Sequence, residues 1–188
     1  MMTSFILNLD PILHLTDAQF VQLCQANPDL KFERNPKGEL IIVSPVGGLG
    51  GQQEADLIRQ VGNWNEQTGL GVVFSSSTIF NLPKGGDRSP DVAWVALDRW
   101  NALTPEQRAV FPPLCPDFVI ELRSRTDKLP PLQEKMQEYL RSGLRLGWLI
   151  NPQDYQVEIY RSGQAVEIVE LPALLSGENV LPGFTLQL

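Results

Sequence analysis

The chain has 188 residues, 43% of them hydrophobic and 20% charged, which suits one globular domain with a real core and excludes a disordered chain. Its net charge of −7, from 15 basic and 22 acidic residues, argues against a tight, sequence-blind nucleic-acid binder, because phosphate affinity comes mostly from Lys and Arg. A single histidine, His14, and two distant cysteines, Cys24 and Cys115, leave no set for a zinc site, and no serine elbow lies near the histidine for Ser-His-Asp catalysis.

Any metal must therefore be hard and held by oxygen ligands. The unpaired cysteines read as reduced thiols of a cytoplasmic protein. No apolar run approaches the roughly 20 residues that span a bilayer, so no membrane partner is expected. Residues 1–15 carry no Lys or Arg and predict no secretory signal.

In chain order, residues 16–26 place Phe20, Val21 and Cys24 on one helical face, with Thr16 as N-cap. Residues 30–34 and 39–43 flank Asn35-Pro-Lys-Gly38, a hairpin signal. The glycines at 47, 48, 50 and 51 open a helix reaching about Asn65. They lack the lysine and hydroxyl of a phosphate-binding loop. Strands follow at 71–75, 78–82 and 92–97. Thr104 and Pro105 start a short helix over 104–110. Residues 117–123 form a strand, and Pro130 and Pro131 start a helix that stops at Gly143. Strands at 145–150, 154–160 and near 165–170 complete the core. The apolar tail, 180–188, reads either as a packed tail, with one more strand, or as a dimer contact. The order predicts a mixed α/β (α+β) domain around one sheet. Within the single domain 1–188, residues 1–46 form an N-terminal helix and hairpin lobe, 47–170 the core and 171–188 the tail.

Four residues carry candidate chemistry. In 116–124 the alternation puts Val119, Glu121 and Arg123 on one face of an apolar strand. A carboxylate beside a guanidinium at such a strand end reads either as an ion pair emerging into solvent or as a site. Asp91 follows Pro90 at the start of a second apolar strand, where it could also be a turn residue. Glu54 continues the helical stripe of Leu57, Ile58 and Val61 toward the sheet. A carboxylate there is either paired or metal-bound, or it sits in an exposed first turn and favours the positive helix end. Lys135 lies at the edge of the stripe Leu132, Met136, Tyr139 and Leu140. It can snorkel over the sheet toward Glu121, or flank the helix in solvent. Together the four suit a divalent-metal phosphodiesterase. Carboxylates would hold Mg²⁺ or Mn²⁺, the ion would activate a water, and a nearby cation would steady the transition state.

Ser89-Pro-Asp-Val-Ala, 116–124, Asp127 and the run 135–152 resemble the PD-(D/E)xK nuclease superfamily. More narrowly they resemble the Uma-type family of restriction-endonuclease-like proteins, over roughly residues 15–160. The resemblance implies a restriction-endonuclease-like mixed sheet flanked by helices. It implies Asp91 and Glu121 as metal ligands, with the Leu122 carbonyl as a third, and matches Glu54 to an acidic residue on the first core helix. At position 123 the pattern has lysine and this chain has arginine. Arg123 can stabilise a phosphate but is a poor proton donor or acceptor. Lys135, displaced to a helix, is the substitute. The implied activity is a Mg²⁺- or Mn²⁺-dependent endonuclease acting on DNA, bound weakly without metal. Arg123 and the acidic charge leave open a catalytically impaired nuclease-fold module with a binding or regulatory role. Arg123, Arg125, Lys128, Arg141 and Arg145 give the region a local basic bias, or line a solvated face.

Overall fold

A computed structural model of the protein describes residues 5–10 and 12–188. The N-terminal stretch expected to lack a secretory signal lies partly outside the described residues. Its first strand, β1 (Phe5–Leu7), had no sequence signal because it is three exposed residues on a sheet edge. Helix α1 (Asp17–Ala26) is capped as expected: the Thr16 hydroxyl accepts from the Gln19 amide, and the Gln19 side chain accepts from the Thr16 amide. Strands β2 (Lys31–Arg34) and β3 (Leu40–Val43) form the hairpin, with Gly38 at φ 83° in its turn.

Helix α2 (Gly48–Thr68) runs past the expected end and stops at Gly69, which takes the left-handed cap conformation. Then come β4 (Gly71–Ser75), β5 (Phe80–Asn81), β6 (Asp87–Arg88) and β7 (Val92–Ala96), followed by the short helices α3 (Leu97–Asn101) and α4 (Pro105–Ala109). Strand β8 (Phe118–Leu122), helix α5 (Leu129–Arg141) and strand β9 (Leu146–Asn151) form a crossover unit. Parallel neighbours need such a helical connection, and β8 and β9 are the parallel pair. Strands β10 (Gln156–Arg161), β11 (Glu167–Glu170), β12 (Leu174–Ser176) and β13 (Thr185–Gln187) finish the chain.

The mixed α+β class holds, but the single expected sheet is three. A six-stranded sheet runs β11-β10-β9-β8-β7-β4, with β8 central. The N-terminal hairpin belongs to a five-stranded sheet, β1-β3-β2-β6-β5, and β12 pairs with β13. The expected strand at 78–82 shortens to two residues because it leaves the main sheet and pairs with β6. Arg34 of β2 pairs in register with Asp87 of β6, so the N-terminal lobe is stitched to the segment that leads into β7.

Each face of the main sheet carries its own core. Leu57, Val61 and Trp64 of α2 pack over Val92, Trp94, Phe118, Ile120 and Trp148. Leu181, Phe184 and Leu186 join the same cluster, so the tail packs on the domain. On the other face Met136 and Tyr139 of α5 cover Ala93, Val95, Val119 and Leu149. Gly147 lets α5 sit this close: a Cβ there would lie 2.6 Å from the Met136 methyl and 2.8 Å from Leu144 Cδ2. Gly147→Ala is expected to destabilise the fold by about 1–3 kcal/mol through overpacking. Urea unfolding of the variant checks this, and an unchanged midpoint would contradict the close approach.

Candidate active site

The site forms where β7 starts and β8 ends. Asp91 precedes β7, and its parity places it with Ala93 and Val95 on the face covered by α5. Glu121 has the same parity as Val119 on β8 and faces the same helix. Continuing the register of Val92 with Ile120 brings Pro90 opposite Leu122. Proline has no amide hydrogen to donate to the Leu122 carbonyl. The Leu122 amide instead donates to Asp91 Oδ2 at 2.7 Å.

Lys135 is buried on α5, as are Met136, Glu138 and Tyr139. Its ammonium lies 2.8 Å from Glu121 Oε1. It donates hydrogen bonds to Glu33 Oε1 at 3.0 Å and to the Ser89 carbonyl at 3.3 Å. The Tyr139 hydroxyl, one turn further along α5, donates to Glu121 Oε1 at 2.9 Å. Glu33 comes from β2 of the N-terminal lobe. It also accepts from the Ser89 amide and hydroxyl, both at 3.0 Å, and from Arg88 Nη1 at 2.9 Å. Arg88 in turn holds Glu138 with two hydrogen bonds of 2.7 and 2.8 Å.

The charges are strongly coupled. Burial, then the neighbouring Glu121 and more weakly Glu54, push Asp91 up to about 7, against the pull of Lys135 and the Leu122 amide. Burial also raises Glu121, with Lys135 opposing. Burial alone would raise Glu33, but Lys135 and Arg88 override it and hold the group at about 2. Burial would strip the proton from Lys135, but Glu121 and Glu33 more than compensate and keep it charged.

Two further expected members have partners of their own. Glu54 accepts from the Ser76 hydroxyl just beyond β4, and it acts on Asp91 through its field. Among the described residues no three His, Cys, Asp or Glu side chains stand close enough to hold a metal ion. The expected convergence of three carboxylates is therefore reduced to the pair Asp91 and Glu121. Arg123 bonds the Asp127 carbonyl, Asn151 Oδ1 at 3.1 Å and Asp154 Oδ2 at 2.9 Å. Strand β8 ends at Leu122, and the Arg123 amide still donates to the Ile150 carbonyl of β9. Glu33, Arg88, Glu138 and the Tyr139 hydroxyl were not picked out from the sequence. Tyr139, four residues after Lys135, had a usable signal, because residues at that spacing share a helix face.

The donors still suit a hard cation. The hydrogen bonds from the described residues reach Asp91 Oδ2 and Glu121 Oε1, and none reaches Asp91 Oδ1 or Glu121 Oε2. Mg²⁺ commonly takes one or two carboxylates and keeps several waters. The Leu122 carbonyl follows Glu121 on β8, opposite Pro90 in register, where proline has no amide hydrogen to give it. A cation there would relieve two carboxylates that raise each other's pKa.

A stability test follows from the sign of these shifts. Folded Asp91 keeps its proton up to about pH 7, whereas the unfolded chain releases it near the ordinary value of 3.8. Between those values the unfolded state binds fewer protons, so stability falls as pH rises. Glu121 shifts in the same direction. Glu33 is lowered from 4.5 to about 2, so its contribution is lost only on acidification through that range. Metal-free protein is expected to melt lower at about pH 8 than at about pH 5, and Asp91→Asn should flatten the difference. Mn²⁺ should stabilise more at the higher pH, where the ligands are already deprotonated. Equal melting temperatures across this range in the unsubstituted protein would contradict the shifts.

The comparisons with known proteins agree with this fold. A crystal structure described as a putative nuclease belonging to DUF820, from Anabaena variabilis, superposes with a TM-score of 0.76 at 19% identity, covering 92% of this chain and 94% of that one. At that identity the likeness speaks for the fold. Among curated proteins none matches the chain. No helix among the described residues is long and apolar enough to cross a membrane. Family and fold together support a nuclease: residues 17–188 match Uma2, described as "Putative restriction endonuclease", and the chain belongs to that family.

Proposed function

We propose that the protein is a divalent-metal-dependent endonuclease that hydrolyses phosphodiester bonds in DNA. The observation that carries this reading is the buried Lys135 ammonium, 2.8 Å from Glu121, on the sheet face that Asp91 shares. One cation and two acidic groups, borne on strand ends and one helix, are the elements such hydrolysis requires. Asp91, Glu121 and the Leu122 carbonyl would hold Mg²⁺ or Mn²⁺. When bound, the ion supplies Lewis-acid polarisation of the phosphodiester and a lowered pKa for a nearby water.

The chain's own groups do the rest. Lys135 remains charged without solvent, so its field acts on a phosphate with little screening. The Tyr139 hydroxyl and the Lys135 ammonium both address Glu121 Oε1 and leave Oε2 free to bind. The Leu122 amide fixes one Asp91 oxygen and orients the other. These restraints set the ligand geometry before a substrate arrives, which is the condition for electrostatic stabilisation without reorganisation. Arg123 is engaged with Asp154 and Asn151, so the cationic role falls to Lys135.

With Mg²⁺ or Mn²⁺ the purified protein is expected to cut DNA, and a chelator should stop it. Asp91→Asn, Glu121→Gln and Lys135→Ala should each lower kcat/KM by at least about 100-fold, while Arg123→Ala should act mainly on stability. Cleavage that persists in Asp91→Ala and Glu121→Ala would sink the assignment. An absence of cleavage by the unsubstituted chain on any nucleic acid would point to a nuclease fold retained for binding.

A further inference from the structure

We propose that Glu33, on the N-terminal hairpin, is the positioning residue for Lys135, the second counter-charge that holds its ammonium in place beside Glu121. The inference rests on the reading of Lys135 as the catalytic cation and assigns a role to a residue outside the nuclease core.

Three observations carry it. The two hydrogen bonds of Lys135 both run toward the N-terminal side, to Glu33 Oε1 and the Ser89 carbonyl. Glu121 Oε1, which also accepts from the Tyr139 hydroxyl, lies on the other side of the ammonium at 2.8 Å. The ammonium is thus held between Glu121 on the main sheet and Glu33 with Ser89 on the N-terminal side. Glu33 also binds the amide and hydroxyl of Ser89, two residues before Asp91, so one carboxylate spaces Lys135 from the Asp91 segment.

Glu33 is itself immobilised. Its second oxygen accepts from Arg88, and Arg88 bonds Glu138, three residues beyond Lys135 on α5. The links close a ring from β2 through the segment at β6 to α5 and back to β2. Its charged members, Glu33, Arg88, Lys135 and Glu138, are all buried.

Charge gives the ring its use. A cation at Asp91 and Glu121 would neutralise the carboxylate that faces Lys135 and place a like charge near it. A buried ammonium with no remaining counter-charge would not stay in place. Glu33 is the counter-charge that stays. Among the described residues only Glu33 and Glu121 bring a carboxylate within ion-pair distance of Lys135.

The test pairs Glu33→Gln, which keeps the shape and drops the charge, with Glu33→Asp, which keeps the charge. Glu33→Gln should lower kcat on DNA about 10- to 100-fold, with KM and Mn²⁺ affinity within about twofold of the parent. Glu33→Asp should recover part of the rate. A second arm needs no turnover: timed acetylation by an amine-reactive ester, read by mass spectrometry, with exposed Lys37, Lys84 and Lys128 as internal references. Lys135 should be the slow site in the parent and react at least about tenfold faster in Glu33→Gln, since its shielding there is lost. Parent-like Lys135 reactivity in Glu33→Gln overturns the proposal, as does a loss carried by KM or Mn²⁺ affinity. If the parent itself does not cut DNA, the nuclease reading fails, and the acetylation arm alone decides for or against Glu33. If Glu33→Gln does not fold, Glu33→Asp carries the acetylation arm. Its shorter carboxylate should raise Lys135 reactivity, and an unchanged rate overturns the proposal.

Discussion

A buried primary ammonium is unstable unless negative charge surrounds it, and Lys135 is such a group. Desolvating an ion costs several kcal/mol even after a protein relaxes around it. Lys135 meets that cost with Glu121 on the main sheet and Glu33 on the N-terminal sheet. The condition constrains much else. Helix α5 must lie close enough to bring the side chain down, which Gly147 permits. Strand β2 must reach across from another sheet, which the β2–β6 pairing enforces. The segment 87–91 must run between them, tied by Asp87 to Arg34 and by Ser89 to Glu33.

The buried charges alternate in sign from Glu121 through Lys135, Glu33 and Arg88 to Glu138. Removing one partner of a buried pair leaves an uncompensated charge, typically about 3–5 kcal/mol. The chain of charges is therefore more a device for uniqueness than for net stability. It ties hairpin, strand and helix to one another through five buried groups. The N-terminal lobe, which from sequence looked like an appendage, becomes a wall of the site.

Local patterns made some of this legible. Alternation along 117–123 found Glu121 at the end of a buried strand, and helical spacing found Lys135 at the edge of the α5 stripe. Both signals are periodic, and both elements are long enough to show a period. Glu54 was read from the same logic; it accepts from Ser76 and acts on the charge of Asp91. Arg123 was read from the alternation of β8, and its side-chain partners, Asn151 and Asp154, lie at and beyond the end of β9. Glu33 was not legible at all. Strand β2 is four residues long, and three of them, Phe32, Glu33 and Arg34, are buried. Glu33 shares its face with Lys31, and two charged residues on one face of a short strand read as an ordinary solvated face. Strand β6 is two residues long and carries no period. The long-range ion pairs that define the site, 102 residues apart for Glu33 and Lys135, leave no trace in local sequence.

The acidic net charge remains to be reconciled with a phosphodiester substrate. Nucleic-acid affinity scales with the number of phosphates neutralised, and physiological salt weakens it further. A chain at −7 cannot supply a wide basic surface. Placement matters more than quantity in the chemical step, because a desolvated charge acts at low effective dielectric and a surface charge does not. Lys135 is placed in that way, and so are the two carboxylates whose mutual repulsion a cation would relieve. The exposed Arg125, Lys128 and Arg141 lie on the loop before α5 and on its last turn, so they flank the site without entering it. Such placement would, in the proposed reaction, favour binding of the transition state over that of the substrate. In the proposed reaction weak ground-state affinity is then the expected counterpart of a buried catalytic charge and is compatible with turnover.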